Sequence, residues 1–184
     1  MADLEARITR LEAESQIRQL IAHYCFDIDD RHIAAIGRLF TADGVLRSAD
    51  GVMYAEGPEA IIAQYHRRFD VLGPGHHFMH DVQIDFVGDG TQEATGRVSG
   101  HAELMRKGQM MIAALRYADR YRRTAEGWKF AERVISFLYY VPVEDYPGIL
   151  LTPDRNRAYD RPMPADFPEP LASWQAYHQN GRRP

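Results

Sequence analysis

Gly73-Pro74-Gly75-His76-His77-Phe78-Met79-His80-Asp81-Val82-Gln83-Ile84-Asp85-Phe86 is the stretch at which the chain changes character. Upstream of it, apolar residues recur at spacings of three and four; downstream they alternate with polar ones. The glycines and proline predict a turn over 73–75, and the alternation of Val82, Ile84 and Phe86 predicts a strand from Phe78 to Phe86. Three of the eight histidines, His76, His77 and His80, fall where that turn hands over to the strand. A side chain at a strand mouth is rigidly held and still reachable by a ligand. On a regular strand His77 shares a face with Met79 and Asp81, opposite Val82, Ile84 and Phe86; a bulge changes the face and makes His80 the rival.

Working back from this point, Leu4 to about Ile28 has the pattern of a long amphipathic helix. Leu4, Ile8 and Leu11 make one stripe, and Ile17, Leu20, Ile21, Tyr24 and Ile28 a second, slightly out of phase. The first two turns are therefore expected to project. Asp27, Asp29 and Asp30 cluster at the helix end, where carboxylates oppose the helix dipole, and one of them could cap a short helix over 31–40. Thr41-Ala-Asp-Gly44 predicts a turn and Val45–Ser48 a short strand. Gly57-Pro58-Glu59 starts a third helix, with Ile61, Ile62, Tyr65 and Phe69 on its buried face.

Working forward, three further features predict a meander. Ala94, Gly96, Val98, Gly100, Ala102 and Leu104 alternate with polar partners, and their small size suggests close approach of something to that face. Turns at Lys107-Gly108 and Thr124–Gly127 then bound strands over 110–123 and 128–141. Helices followed by a run of strands indicate α+β rather than alternating β/α. Eight of the ten prolines lie from Pro142 onward, so residues 142–184 are expected to form an extended arm with at most a turn of helix near 171–177. The arm keeps Tyr146, Ile149, Leu150, Leu151, Phe167, Trp174 and Tyr177, too apolar for a free tail, and is expected to lie on the body (1–141) or on a neighbouring subunit.

The 184 residues carry 45% hydrophobic and 26% charged side chains and a formal charge of −4. They offer no basic footprint for nucleic acid, no apolar run of membrane-spanning length and no apolar signal core. A single cysteine, Cys25, within an apolar helical run, predicts a packing role and a reducing, cytoplasmic setting. Neither a dinucleotide fingerprint nor a phosphate loop appears. Adjacent His76 and His77 point to opposite faces of a strand, and no His-x-His pair is present, which argues against a metal.

Six segments, taken together, resemble the SnoaL-like branch of the nuclear-transport-factor-2-like superfamily. They are Tyr24-Cys-Phe-Asp-Ile-Asp29, Leu39-Phe-Thr-Ala-Asp-Gly44, Gly57-Pro-Glu-Ala-Ile61, His77-Phe-Met-His-Asp81, Tyr117-Ala-Asp-Arg-Tyr121 and Gly127-Trp-Lys-Phe-Ala-Glu-Arg133. In pattern they are most similar to scytalone dehydratase and hexachlorocyclohexane dehydrochlorinase, with polyketide cyclases and dioxygenase β subunits further off. The resemblance implies a cone-shaped, curved mixed β-sheet packed against N-terminal helices, a cystatin-like α+β roll, with an apolar pocket. It also implies a cofactor-independent lyase, dehydratase or isomerase acting on a small apolar or aromatic ring compound. The family's catalytic dyad falls on Asp29 and His77, and a catalytic arginine of the dehydrochlorinase type falls on Arg133.

The chemistry suits those residues. A neutral imidazole, with an ordinary pKa near 6.5, can accept a proton. A carboxylate on its other nitrogen fixes the tautomer and stabilises the imidazolium as it forms. A cationic Arg133 could stabilise a leaving anion, or form a cross-strand pair with Asp119. Tyr24, Tyr54 and Tyr117 are candidate hydroxyl donors to the substrate, and Met79, Met110 and Phe137 candidate pocket walls. A homo-oligomer, dimer or trimer, is expected from the edges an open sheet exposes. Two other readings use the same features: a polyketide cyclase, and a non-catalytic assembly subunit resembling a dioxygenase β chain.

Overall fold

The computed structural model describes residues 2–88, 92–159 and 161–179. Two long helices and a short one lie on the inner face of a six-stranded mixed sheet. Helix α1 spans Ala2–Asp29, α2 Ile33–Arg38 and α3 Pro58–Phe69; the strands are β1 (Phe40–Ser48), β2 (Tyr54–Glu56), β3 (Leu72–Phe86), β4 (Glu93–Arg106), β5 (Gln109–Thr124) and β6 (Gly127–Pro142). The sheet order is β2-β1-β6-β5-β4-β3. Among the described residues, β1–β6 is the one parallel pairing between these strands. The α+β roll expected from the sequence is thus the fold of this chain.

Strand periodicity explains the core. On β4, Ala94, Val98, Ala102 and Leu104 are buried together with Gly96 and Gly100. On β5, Met111, Ala113, Leu115, Tyr117, Asp119 and Tyr121 alternate inward. Against this face α1 lays Ile17, Leu20, Ile21, Tyr24 and Ile28, all buried, whereas Leu4, Ile8 and Leu11 are exposed on the projecting turns. The small residues of β4 do mark a close approach: a Cβ on Gly100 would stand 2.8 Å from the Phe78 carbonyl oxygen of neighbouring β3.

Several local expectations are corrected. Gly73-Pro74-Gly75 is not a turn but the start of β3, with Gly75 paired to Leu104. β3 is an edge strand, so Pro74 has no outer neighbour to which an N–H is owed. Thr41–Gly44 is not a free turn but an irregular insertion within β1, between the pairs Phe40–Phe130 and Val45–Glu132. The second helix is shorter than expected, because Phe40 already belongs to the sheet. It starts after His32 with no side-chain cap, so none of the three aspartates caps it.

The parity of β3 is set by a bulge. Register shifts between Met79 and Val82, leaving His80 and Asp81 both exposed. The extra residue restores the inner face, so His77 and Met79 point the same way as Val82, Ile84 and Phe86. His80 is turned out, where its Nε2 meets His101 Nδ1 at 2.7 Å.

Beyond β6 the chain runs as an extended arm through two 3₁₀ turns, at Val143–Asp145 and Ile149–Leu151, to helix α4 (Ala172–Gln179). Arg155 pins it to the body. Its buried guanidinium donates to the carbonyls of Leu138, Thr152 and Phe167 and to Glu169. Asp166 accepts the Phe137 backbone N–H at 2.7 Å. Leu151, Trp174 and Tyr177 remain exposed. Among the described residues no helix is long and apolar enough to cross a membrane.

Candidate functional site

The end of α1 and the start of β3 are held together by Arg31. Its guanidinium donates to the Ile28 carbonyl at 2.9 Å and to the Gly73 carbonyl at 2.5 Å, and lies over the Phe69 ring. This clamp brings Asp29 against His77. The Asp29 Oδ1 meets His77 Nδ1 at 2.6 Å, and Oδ2 accepts the His77 backbone N–H at 2.9 Å. His76, at the exposed rim, places Nδ1 3.0 Å from the same Oδ2. The Asp29 side chain is 8% exposed and that of His77 21%. The carboxylate is therefore shielded, and the imidazole stays reachable.

Burial works against the charge on Asp29. The hydrogen bonds from the His77 ring and backbone, with the positive charge His77 and His76 can carry, outweigh it and hold the carboxyl below its ordinary value of 3.8. A carboxyl whose pKa folding lowers contributes stability that is complete above the unfolded-chain value and is lost as pH falls through the lowered native value. Asp29→Asn removes that contribution. Its thermal midpoint should consequently fall less steeply than that of the wild type between pH 6 and pH 3; parallel curves would contradict the pairing.

His77 lines a chamber enclosed by α1, α3 and the sheet. Tyr24, Tyr65, Arg68, Tyr117, Phe137 and Tyr140 share its walls, and it leaves about 40 Å³ open, room for about three waters. Tyr24 and Tyr65 hydrogen-bond through their hydroxyls. Burial pushes the phenols of Tyr24, Tyr65 and Tyr117 upward, so they act as proton-bearing donors rather than bases. Burial likewise raises the Cys25 thiol to about 11, consistent with a packing residue.

The expected site residues separate into two groups. Asp29, His77, Tyr24, Tyr117 and Phe137 come together around the chamber. Tyr54 does not: it is 58% exposed on the short edge strand β2 and donates to Glu56. Met110 sits 39% exposed beside the β4–β5 turn. Met79 faces inward but packs on the core away from the chamber wall. Arg133 lies beneath the chamber rather than on its wall. It is fully buried, bonded to both Asp119 oxygens at 2.9 and 2.7 Å, and covered by the rings of Tyr24, Tyr117 and Phe130. Burial disfavours its charge, but the Asp119 carboxylate keeps the guanidinium pKa above its ordinary value.

Tyr65, expected only on the buried face of α3, and Arg68 are wall residues absent from the expected site. Helical spacing carries a signal for them, since Arg68 follows Ile61 and Tyr65 by seven and three positions and so shares their inward face. Among the described residues no group of three or more His, Cys, Asp and Glu side chains is arranged to hold a metal ion.

Comparison with known proteins agrees with this architecture. A hexachlorocyclohexane dehydrochlorinase of Novosphingobium barchaimii superposes with a TM-score of 0.68 at 18% identity, over 74% of this chain and 94% of that one. A provisionally named scytalone dehydratase of Novosphingobium aromaticivorans gives 0.67 at 22% identity, over 77% and 91%. An NTF2-like protein with a cystatin-like fold from the same organism gives 0.61 at 26%, over 75% and 90%. No curated protein sequence matches significantly. At these identities the dehydrochlorinase and dehydratase likenesses establish the fold. The model of the SnoaL-like domain matches residues 9–134, from the first third of α1 to just past the buried Arg133 of β6; the chain belongs to that family.

Proposed function

We propose that this chain is a cofactor-independent lyase of the dehydratase type, or an isomerase, that removes a proton from a small ring compound with His77 as general base. One observation carries the reading. The Asp29 carboxylate holds His77 through both its ring Nδ1 and its backbone N–H, while the imidazole forms part of the chamber wall. With Nδ1 engaged, Nε2 is the nitrogen left to accept a proton. As the base takes a proton from carbon, the electron pair of that C–H bond forms a double bond and expels a leaving group from the neighbouring carbon. Asp29 stabilises the imidazolium that forms, and the tyrosine hydroxyls of the wall can donate to the departing group. The Nε2 proton then passes to water, restoring the base.

The experiment is a panel of alicyclic and aromatic-ring compounds carrying a hydroxyl or halide next to an acidic C–H, followed by absorbance of the new double bond. Elimination from at least one ring scaffold by the wild type, absent in His77→Ala, is the expected result. Turnover that is equal in both would refute His77 as the base.

A further inference from the structure

Next to the chamber lies a larger groove, about 230 Å³, that shares Met53, Arg68, Leu72 and Tyr140 with it as walls. Its remaining walls include apolar side chains, such as Val52, Val71 and Ala158, and Arg67; among the described residues no aspartate or glutamate lines it. Arg67 donates to Gln64, but Arg68 is placed differently. The Arg68 guanidinium is half-buried, and among the described residues its one hydrogen bond is a weak one to the Met53 sulfur at 3.4 Å. A partly desolvated cation without a carboxylate gains most from an anionic partner. In this molecule it stands at the junction between an apolar groove and the chamber that holds His77.

We infer that the substrate is an organic acid whose carboxylate binds Arg68, with its apolar body in the groove and its reacting end in the chamber. The inference rests on the general-base reading of His77 and narrows the substrate class. Size supports the division of labour: the chamber admits only a small reacting end, whereas the groove can take a ring. The apolar walls favour a ring-bearing carboxylate over a small hydrated anion such as inorganic phosphate. Arg133, tied to Asp119 beneath the aromatic rings, is not available for this contact, so Arg68 is the specificity-determining cation.

The test is direct binding of trans-cinnamate and its neutral isostere cinnamamide, followed by intrinsic fluorescence, to the wild type and to Arg68→Gln, Arg68→Lys and Arg97→Gln. In the wild type the acid should bind about tenfold or more tighter than the amide. Arg68→Gln should bring the two affinities together, Arg68→Lys should keep part of the preference, and Arg97→Gln on the outer face should keep all of it. His77→Ala should retain the preference although it loses turnover, which separates failure of this inference from failure of the base assignment. Equal affinities in the wild type, absence of binding by either probe, or a preference that survives Arg68→Gln would overturn the inference.

Discussion

His77→Ala is expected to abolish turnover and leave the chain folded. Loss of a positioned general base removes about 10²–10⁴ in rate. The fold should survive because the substitution spares the backbone hydrogen bond from residue 77 to Asp29. The side chain it removes is partly exposed, and its one hydrogen bond is to that same carboxylate. Circular dichroism and thermal unfolding verify the fold, and steady-state turnover on a substrate of the wild type reads the effect. Asp29→Asn makes the complementary case. It leaves the base in place but weakens both the tautomer preference and the clasp on the strand, so activity should fall less than in His77→Ala. Full activity in His77→Ala would end the dyad account.

The second large effect is on stability. Arg133→Met should cost about 3–5 kcal/mol, because it leaves the Asp119 carboxylate buried with the Tyr121 hydroxyl as its remaining side-chain partner. For a chain of this length that corresponds to a fall of about 6–20 °C in the unfolding midpoint. The guanidinium also supports the rings of Tyr24 and Tyr117 from about 4 Å. Both rings line the chamber, so the loss should carry into ligand binding. Arg133→Met with Asp119→Leu should be considerably milder than the two single changes added together, since neither charge is then stranded. Additive losses measured by urea unfolding would show that the pair is not the unit of stability.

The architecture was legible because a period of three to four gives way to a period of two, and each is dictated by a different backbone geometry. What sequence could not supply is the sheet order. Gly73-Pro74-Gly75 reads as a turn until β3 is known to be an edge strand, where proline leaves no ladder partner unserved. The face of His77 likewise depended on whether the strand was regular. The bulge at His80–Asp81 puts His77 on the same side as Val82, Ile84 and Phe86 and sends His80 outward.

Within the site, the residues that were legible lie on long elements with strong patterns. Tyr24 lies on α1, Tyr117 on β5, and Asp29 and His77 are matched by a family resemblance. Those misplaced lie where pattern is weakest. Tyr54 belongs to a strand of three residues, too short to show its face, and Met110 to the second position of β5. Arg133 was open to two readings, a reactive cation or the cross-strand partner of Asp119, and the structure has the second, with rings stacked over the guanidinium. Arg68 was hidden by its neighbours. His66, Arg67 and Arg68 close a helix, where positive charge complements the dipole, and only helical phase marks the last of them as inward.

The proposed mechanism depends on Asp29 fixing His77 as a base with its free nitrogen in the chamber. It is tested most directly by the ¹⁵N NMR spectrum of the imidazole at a pH where the ring is neutral, assigned by comparison with His77→Ala. Nδ1 should carry the proton, donated to Asp29, Nε2 should be unprotonated, and Asp29→Asn should shift the balance between them. A neutral His77 with its proton on Nε2 would contradict it.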